Sequence, residues 1–271
     1  VLASGRCATK EDGMTGLDGQ VALVTGGGSG IGRAIAGALA RRGAAVAVAG
    51  RRREVVEEAA AAIEDAGGRA LAIAGDVARP ADGERMVAET VERFGALHLL
   101  VNNAGIARAG PLDEMSPEVV DALIDVDLKG PIHVTRAALP QLRAQRDAGG
   151  AAVINVSSSV TLHPVAGRSV YAAAKAGVDM LTRCWALDLA ADRIRVNAIC
   201  PGVVRTPLFA TMMPPAVVER FLRQIAGHTP LGRVGEPDDV ARLACFLADP
   251  ENDWLTGAVI PLDGGLSLRG G

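Results

Sequence analysis

Seven short apolar runs alternate along the chain with longer amphipathic stretches, and this alternation sets the fold class before any single residue is weighed. The runs fall at residues 21–25, 44–49, 70–74, 97–101, 151–156, 194–199 and 258–261. They are too short for stable helices and rich in Val, Ile and Ala, as buried strands are. Helical stretches are predicted at 31–42, 54–66, 81–94, 117–146, 170–191, 216–226 and 237–247, each long enough to cross over a parallel sheet. Strands alternating with helices predict a doubly wound α/β fold of about seven parallel strands flanked by helices. Near-continuous apolar runs, such as VAVAG and AAVINV, suit a sheet covered on both faces. Ligands of such sheets sit beyond the carboxyl ends of the strands, where strand order reverses, so motifs that follow strands carry the most weight.

Composition narrows the function classes. With 271 residues, 49% hydrophobic and 22% charged, the chain can bury one sizeable core, and residues 16–271 are read as a single domain. Residues 1–15 are expected to be a disordered leader, with Met14 as a candidate natural start. A net charge of −3 offers no overall attraction for nucleic acid or an anionic membrane. No apolar run approaches the roughly 18 residues needed to span a bilayer, and the opening lacks a signal peptide's apolar region. Cys7, Cys184, Cys200 and Cys245 lie far apart without a CxxC pair, which points to unpaired thiols in a reducing compartment. His98, His133, His163 and His228 fall in separate segments, so no metal is expected. A cytoplasmic protein acting on a small molecule fits these features.

The first strand runs into Thr25-Gly26-Gly27-Gly28-Ser29-Gly30-Ile31-Gly32, with a helix beginning inside the run. Glycines let the backbone turn tightly and approach phosphate oxygens, while the N–H groups and dipole at the helix start favour negative charge. The pyrophosphate of a dinucleotide is expected here. Eighteen residues after Gly32 the second strand ends at Gly50-Arg51-Arg52-Arg53. An NAD-selective site would place a carboxylate on the ribose 2′-hydroxyl at this point. Here Gly50 leaves room for a 2′-phosphate and Arg51, with Arg52 beside it, supplies planar donors. NADP(H) is therefore the preferred cofactor, with NAD(H) second.

Tyr171 and Lys175 are four residues apart at the start of a predicted helix, which puts them on one face, a turn apart. An ammonium beside a phenol favours the phenolate and so helps it carry a proton. Ser158 lies thirteen residues upstream at the end of the fifth strand, placed to donate to an oxygen on which negative charge develops. Taken with the TGxxxGxG spacing and Asn102-Asn103-Ala104-Gly105, this pattern resembles the short-chain dehydrogenase/reductase family, over about residues 18–267.

The resemblance implies a Rossmann-like single domain that passes a hydride between a nicotinamide dinucleotide and a carbonyl or alcohol. It implies Tyr171 as the general acid in reduction and the base in oxidation, and Lys175 as its partner and a holder of the nicotinamide ribose. Ser158 orients the reacting oxygen. Asp76-Val77 and Asn103-Ala104-Gly105 take the adenosine side, and Pro201, Gly202, Val204 and Thr206 take the nicotinamide carboxamide. One position departs from the pattern: Asp127 stands where the family has asparagine. It is expected to act either through its main chain in a proton relay or through a carboxylate that offsets the field of Lys175. A homotetramer pairing the helices near 117–146 and 170–191 is also implied. The competing readings are a 3-oxoacyl-carrier-protein reductase and a catalytically silent NADP-binding sensor. An epimerase or dehydratase of the longer-chain group is disfavoured by the glycine spacing. The Phe and Met residues of segment 208–215 are read as an apolar substrate wall in a lid.

Overall fold

All seven apolar runs become parallel strands of one sheet in a computed structural model, which describes residues 16–268. They are β1 (Val21–Thr25), β2 (Ala45–Gly50), β3 (Arg69–Ala74), β4 (Leu99–Asn102), β5 (Ala151–Val156), β6 (Ile194–Pro201) and β7 (Val259–Leu262). The predicted leader at 1–15 lies outside the described residues. Spatial order is β3-β2-β1-β4-β5-β6-β7. The chain thus builds outward from β1 in one direction, then returns and builds from β4 in the other. That reversal opens a crevice beyond the carboxyl ends of β1 and β4.

Side chains alternate between the faces of β1, whose five residues are all buried. Ala22 and Val24 join Ile35, Leu39, Val240 and Leu247 in one apolar layer, whereas Leu23 joins Met86, Leu100, Val134 and Leu142 in the other. Helices α1 (Gly30–Arg41), α2 (Arg53–Asp65) and α8 (Pro237–Ala248) close the first layer. Helices α3 (Pro80–Phe94), α5 (Gly130–Arg143) and α6 (Ser169–Asp188) close the second. Each large aliphatic side chain buried this way contributes about 1.5–3 kcal/mol. One polar ladder crosses the second layer: Asn102 Nδ2 donates to Asn155 Oδ1 (2.9 Å), and Asn155 Nδ2 donates to Thr182 Oγ1 (2.8 Å). It locks the register of β4 on β5 and fixes α6 against both, because each of these buried polar groups depends on the next.

The stretch predicted as one helix over 117–146 is two. Helix α4 (Pro117–Ile124) gives way to a widened π turn at Asp125–Lys129, and α5 follows. Pro131 offers no N–H to Asp127, four residues back, so the α-helical ladder fails there and the turn takes an extra residue. The insertion turns Asp127 fully inward, with 0% of its surface exposed. The last helix to mention, α7 (Pro215–His228), packs Leu222 on Phe209 and Val234 in a small third cluster.

Candidate active site

The glycine turn is shaped by close backbone contacts. Gly26 and Gly30 have φ of +64° and +53°, a left-handed conformation that only glycine adopts without strain. A Cβ on Gly32 would strike the Gly26 carbonyl oxygen and Asn103 Nδ2, and one on Gly28 would come 2.9 Å from Val55 Cγ1. Thr25 Oγ1 donates to the Val101 carbonyl (3.2 Å) and accepts from the main-chain N–H of Asn103 and Ala104 (3.1 Å each). Asn103 Nδ2 in turn donates to the carbonyls of Thr25 (2.9 Å) and Gly26 (3.2 Å). Asn103 and Ala104 therefore hold the turn open from below. Ser29 sits at the N-cap of α1 without a side-chain cap bond, and the first turn carries no acid. The donors at that helix start are left for an anion, so the turn fits a pyrophosphate. Ile31 packs inward on the first apolar layer.

Arg51 and Arg52 follow β2 and are exposed. Neither forms an ion pair among the described residues, whereas nearby Arg53 and Arg33 are engaged by Glu57 (3.5 Å) and Glu58 (2.9 Å). Asp76 and Val77 follow β3. The Asp76 carboxylate accepts from the Ala78 N–H (3.0 Å), so part of its capacity is spent on its own turn. Val77 is buried, and its carbonyl meets His133 Nδ1 at 3.1 Å. At the other end of the crevice Pro201 closes β6, Gly202 lies against Asp263, and Val204 bridges to Gly235. A Cβ on Gly30 would be 3.2 Å from Thr206 Cβ, so the loop after β6 lies directly against the glycine turn.

Between these ends stand the four residues predicted to act in chemistry. Ser158 leaves β5 half-buried, with its Oγ accepting the Val160 N–H at 3.3 Å. Tyr171 and Lys175 occupy successive turns of α6, and Lys175 Nζ lies 6.0 Å from the Tyr171 ring centre. Nζ also donates to the Val156 carbonyl (3.1 Å) and lies 3.2 Å from Asp127 Oδ1. The second carboxylate oxygen of Asp127 accepts the Ile106 N–H at 3.3 Å. Gly105 makes room for the pair, since a Cβ there would come 2.8 Å from Asp127 Oδ1 and 3.5 Å from Lys175 Nζ. Burial pushes the Asp127 carboxyl above its usual range, against the pull of Lys175 and the Ile106 N–H. Burial alone would lower Lys175, but the negative charges around it, led by Asp127, more than offset this and hold the ammonium up.

The structure therefore gathers the predicted residues along the carboxyl edge of the sheet. Of the two roles expected for Asp127, the side chain has a direct contact with Lys175. Three features escaped the sequence reading. Asp179, four residues beyond Lys175 on the same helix, is a second buried acid; the Cys200 thiol donates to it across 3.8 Å. Burial, with this acid beside it, pushes Cys200 up to about 12. Arg168, three residues before Tyr171, caps α6. The spacing from Tyr171 and Lys175 was the available signal for both. Third, Phe209 is 9% exposed, lies in a cluster with Leu222 and Val234, and its ring meets that of Phe221 at a tilt, centroids 5.4 Å apart. The apolar wall expected from segment 208–215 is in that residue a piece of core.

Among the described residues, no helix is long and apolar enough to cross a membrane, and no cluster of three His, Cys, Asp or Glu is disposed to hold a metal. Comparison with known proteins adds an independent line. A family model described as enoyl-(acyl carrier protein) reductase matches residues 26–267. An uncharacterized oxidoreductase of Thermotoga maritima is 40% identical, over 92% of this chain and 98% of the relative. A 3-oxoacyl-[acyl-carrier-protein] reductase of the same organism is 38% identical over 93% and 99%. Versicolorin reductase 1 of Aspergillus parasiticus is 38% identical over 92% and 97%. Among solved structures, 3-ketoacyl-(acyl-carrier-protein) reductase from Brucella melitensis complexed with NADH superposes with a TM-score of 0.86 at 34% identity, covering 93% of this chain and 99% of that one. A short-chain type dehydrogenase/reductase from Mycobacterium marinum gives 0.86 at 32% identity, over 94% and 98%. Alike in sequence to these relatives and in fold to these solved structures over most of its length, the chain belongs to the short-chain dehydrogenase/reductase family, NAD(P)-dependent oxidoreductases acting on CH–OH and C=O groups.

Proposed function

We propose that this protein is an NADPH-dependent ketoreductase whose acid is Tyr171, carried by one domain over residues 16–271 and working in the cytoplasm. The observation that carries the reading is the placement of Tyr171 over the buried Lys175 ammonium at the crevice where strand order reverses. When bound, the nicotinamide dinucleotide supplies the hydride, or accepts it in the reverse direction. The chain supplies the rest. Ser158 donates to the substrate oxygen, and Tyr171 gives that oxygen a proton in reduction and takes it back in oxidation. Lys175, fixed by Val156 and Asp127, steadies negative charge on the phenol oxygen and would hold the nicotinamide ribose when the dinucleotide is bound. Gly26, Gly28, Ser29, Gly30, Ile31 and Gly32 would hold the pyrophosphate. Asp76, Val77, Asn103, Ala104 and Gly105 would hold the adenosine half, and Pro201, Gly202, Val204 and Thr206 the carboxamide. Retention of Ser158, Tyr171 and Lys175 together argues against a silent sensor. The relative named a 3-oxoacyl-[acyl-carrier-protein] reductase favours, as second reading, a substrate carried on a protein-linked thioester.

Preference for NADPH rests on Arg51, exposed and without an ion-pair partner among the described residues, with Arg52 beside it and no acid at the end of β2. A homotetramer is supported by α6, where Met180, Cys184 and Leu187 line one exposed stripe and Leu187 is 81% exposed.

Tyr171→Phe removes the proton donor and keeps the ring, so kcat should fall about 10²–10⁴-fold with cofactor affinity nearly intact. Retention of more than about a tenth of wild-type kcat in NADPH oxidation with a carbonyl panel would exclude Tyr171 as the acid. Arg51→Ala should weaken NADPH and leave NADH nearly unchanged in a fluorescence titration; equal loss for both would assign Arg51 to another part of the dinucleotide. For Asp127 the sign follows from the 3.2 Å contact. Its negative charge offsets Lys175 and disfavours a second negative charge at the phenol, so alcohol oxidation needs higher pH than it would without it. Asp127→Asn should move the ascending limb of kcat against pH to lower pH, read as a property of the coupled cluster; superimposable profiles would confine Asp127 to its main chain. Light scattering at micromolar concentration should give four times the chain mass, and a monomer mass would overturn the tetramer.

A further inference from the structure

Arg168 is a half-buried cation with no counterion among the described residues. It caps the start of α6, and its carbonyl accepts the Ala172 N–H at 2.8 Å. This is the positive end of the helix dipole, where an arginine is disfavoured. Among the described residues its one side-chain hydrogen bond is from Nη1 to Met212 Sδ at 4.0 Å, and a thioether is a weak acceptor that leaves the planar set of donors unsatisfied. A partly desolvated guanidinium in that condition costs stability unless something else pairs with it.

Its position says where that partner would lie. Arg168, Tyr171 and Lys175 follow one another at spacings of three and four, along one side of α6. Met212 belongs to the segment that leaves Thr206, beside the glycine turn, and reaches Arg168. On the other side, the Gly110 N–H donates to the Gly167 carbonyl at 3.0 Å, tying the loop after β4 to the residue before Arg168. Arg108 of that loop is exposed and bonds to the carbonyl of its neighbour Ala107 (2.8 Å), so it brings no negative charge. Three chain segments thus meet at Arg168, at the start of the helix that carries Tyr171 and Lys175, and none of these contacts brings it a negative charge.

We propose that Arg168 is the specificity-determining residue for an anionic substrate, pairing with a carboxylate or phosphate while the carbonyl of the same molecule lies at Tyr171. The substrate class is therefore an oxo acid, or its phosphorylated equivalent, and the product the matching hydroxy acid. This rests on the ketoreductase reading for the position of the carbonyl, but the anion pairing does not need turnover to be seen.

The test compares acetoacetate and levulinate with their methyl esters in NADPH- and NADH-dependent reduction, in wild type, Arg168→Met and Arg168→Lys. The acids should be favoured by about tenfold or more in kcat/KM, as a charge-assisted pair is worth. Arg168→Met should remove that preference, chiefly through KM, with the esters changed less than about threefold. Arg168→Lys should restore part of it. In parallel, butyrate and butyramide are titrated calorimetrically into the enzyme loaded with NADP⁺ or NAD⁺. Butyrate should bind and butyramide should not, and Arg168→Met should abolish the difference. If no carbonyl is reduced but butyrate binding depends on Arg168, the ketoreductase reading falls and the anion site stands. Equal binding of the two titrants, or equal effects of Arg168→Met on acids and esters, overturns the proposal.

Discussion

Everything at the crevice depends on how closely the end of β1 and the loop after β4 are allowed to approach. The Thr25 hydroxyl serves three main-chain groups at once, one on β4 and two in the loop beyond it. Each such bond contributes only about 1 kcal/mol net, but a buried amide left without its partner costs about 1–3 kcal/mol. The asymmetry explains why the junction is specified so tightly: the glycines remove every Cβ that would push the two segments apart, and Asn103 stitches the turn from the other side. With that distance set, the start of α1 points its free donors into the gap, and the loop after β6 meets it at Gly30 and Thr206.

Charge at the centre of the site is balanced inside the protein rather than by solvent. Lys175 is buried, and an ammonium withdrawn from water needs close negative partners. Asp127 lies against it, and Asp179 stands a turn further along α6. The π turn is the device that delivers Asp127: a regular helix from 117 to 146 would run on in phase, whereas the inserted residue turns this one carboxylate to the interior. An irregularity in the backbone, forced by a proline that lacks an N–H, thereby sets the charge that faces Lys175.

The site is asymmetric along its length. Beyond β2 the arginines are exposed, and the acid of the loop after β3 is partly engaged in its own turn. At the far end the cation is half-buried and covered by a segment whose one large aromatic residue has turned into the core. Exposed arginines exchange partners with water cheaply, while a covered one does not.

Local pattern alone determined the fold class, all seven strands and most helix limits, because a sheet buried on both faces demands uninterrupted apolar runs and crossover helices between them. It also determined the glycine turn and the spacing of Ser158, Tyr171 and Lys175, since these are features of neighbours along the chain. Tertiary structure decided what sequence separation hides. The break at 125–129 was invisible because a π turn has no apolar period of its own, and the strong helical pattern on either side ran through it. The contact of Asp127 with Lys175 joins residues 48 apart through packing of the π turn on α6. Whether Phe209 faced substrate or core turned on the docking of α7, and whether Arg168 had a partner turned on every segment that surrounds it. Periodicity reports which face of an element is buried; only packing of the whole chain sets which charges end up without water and against what.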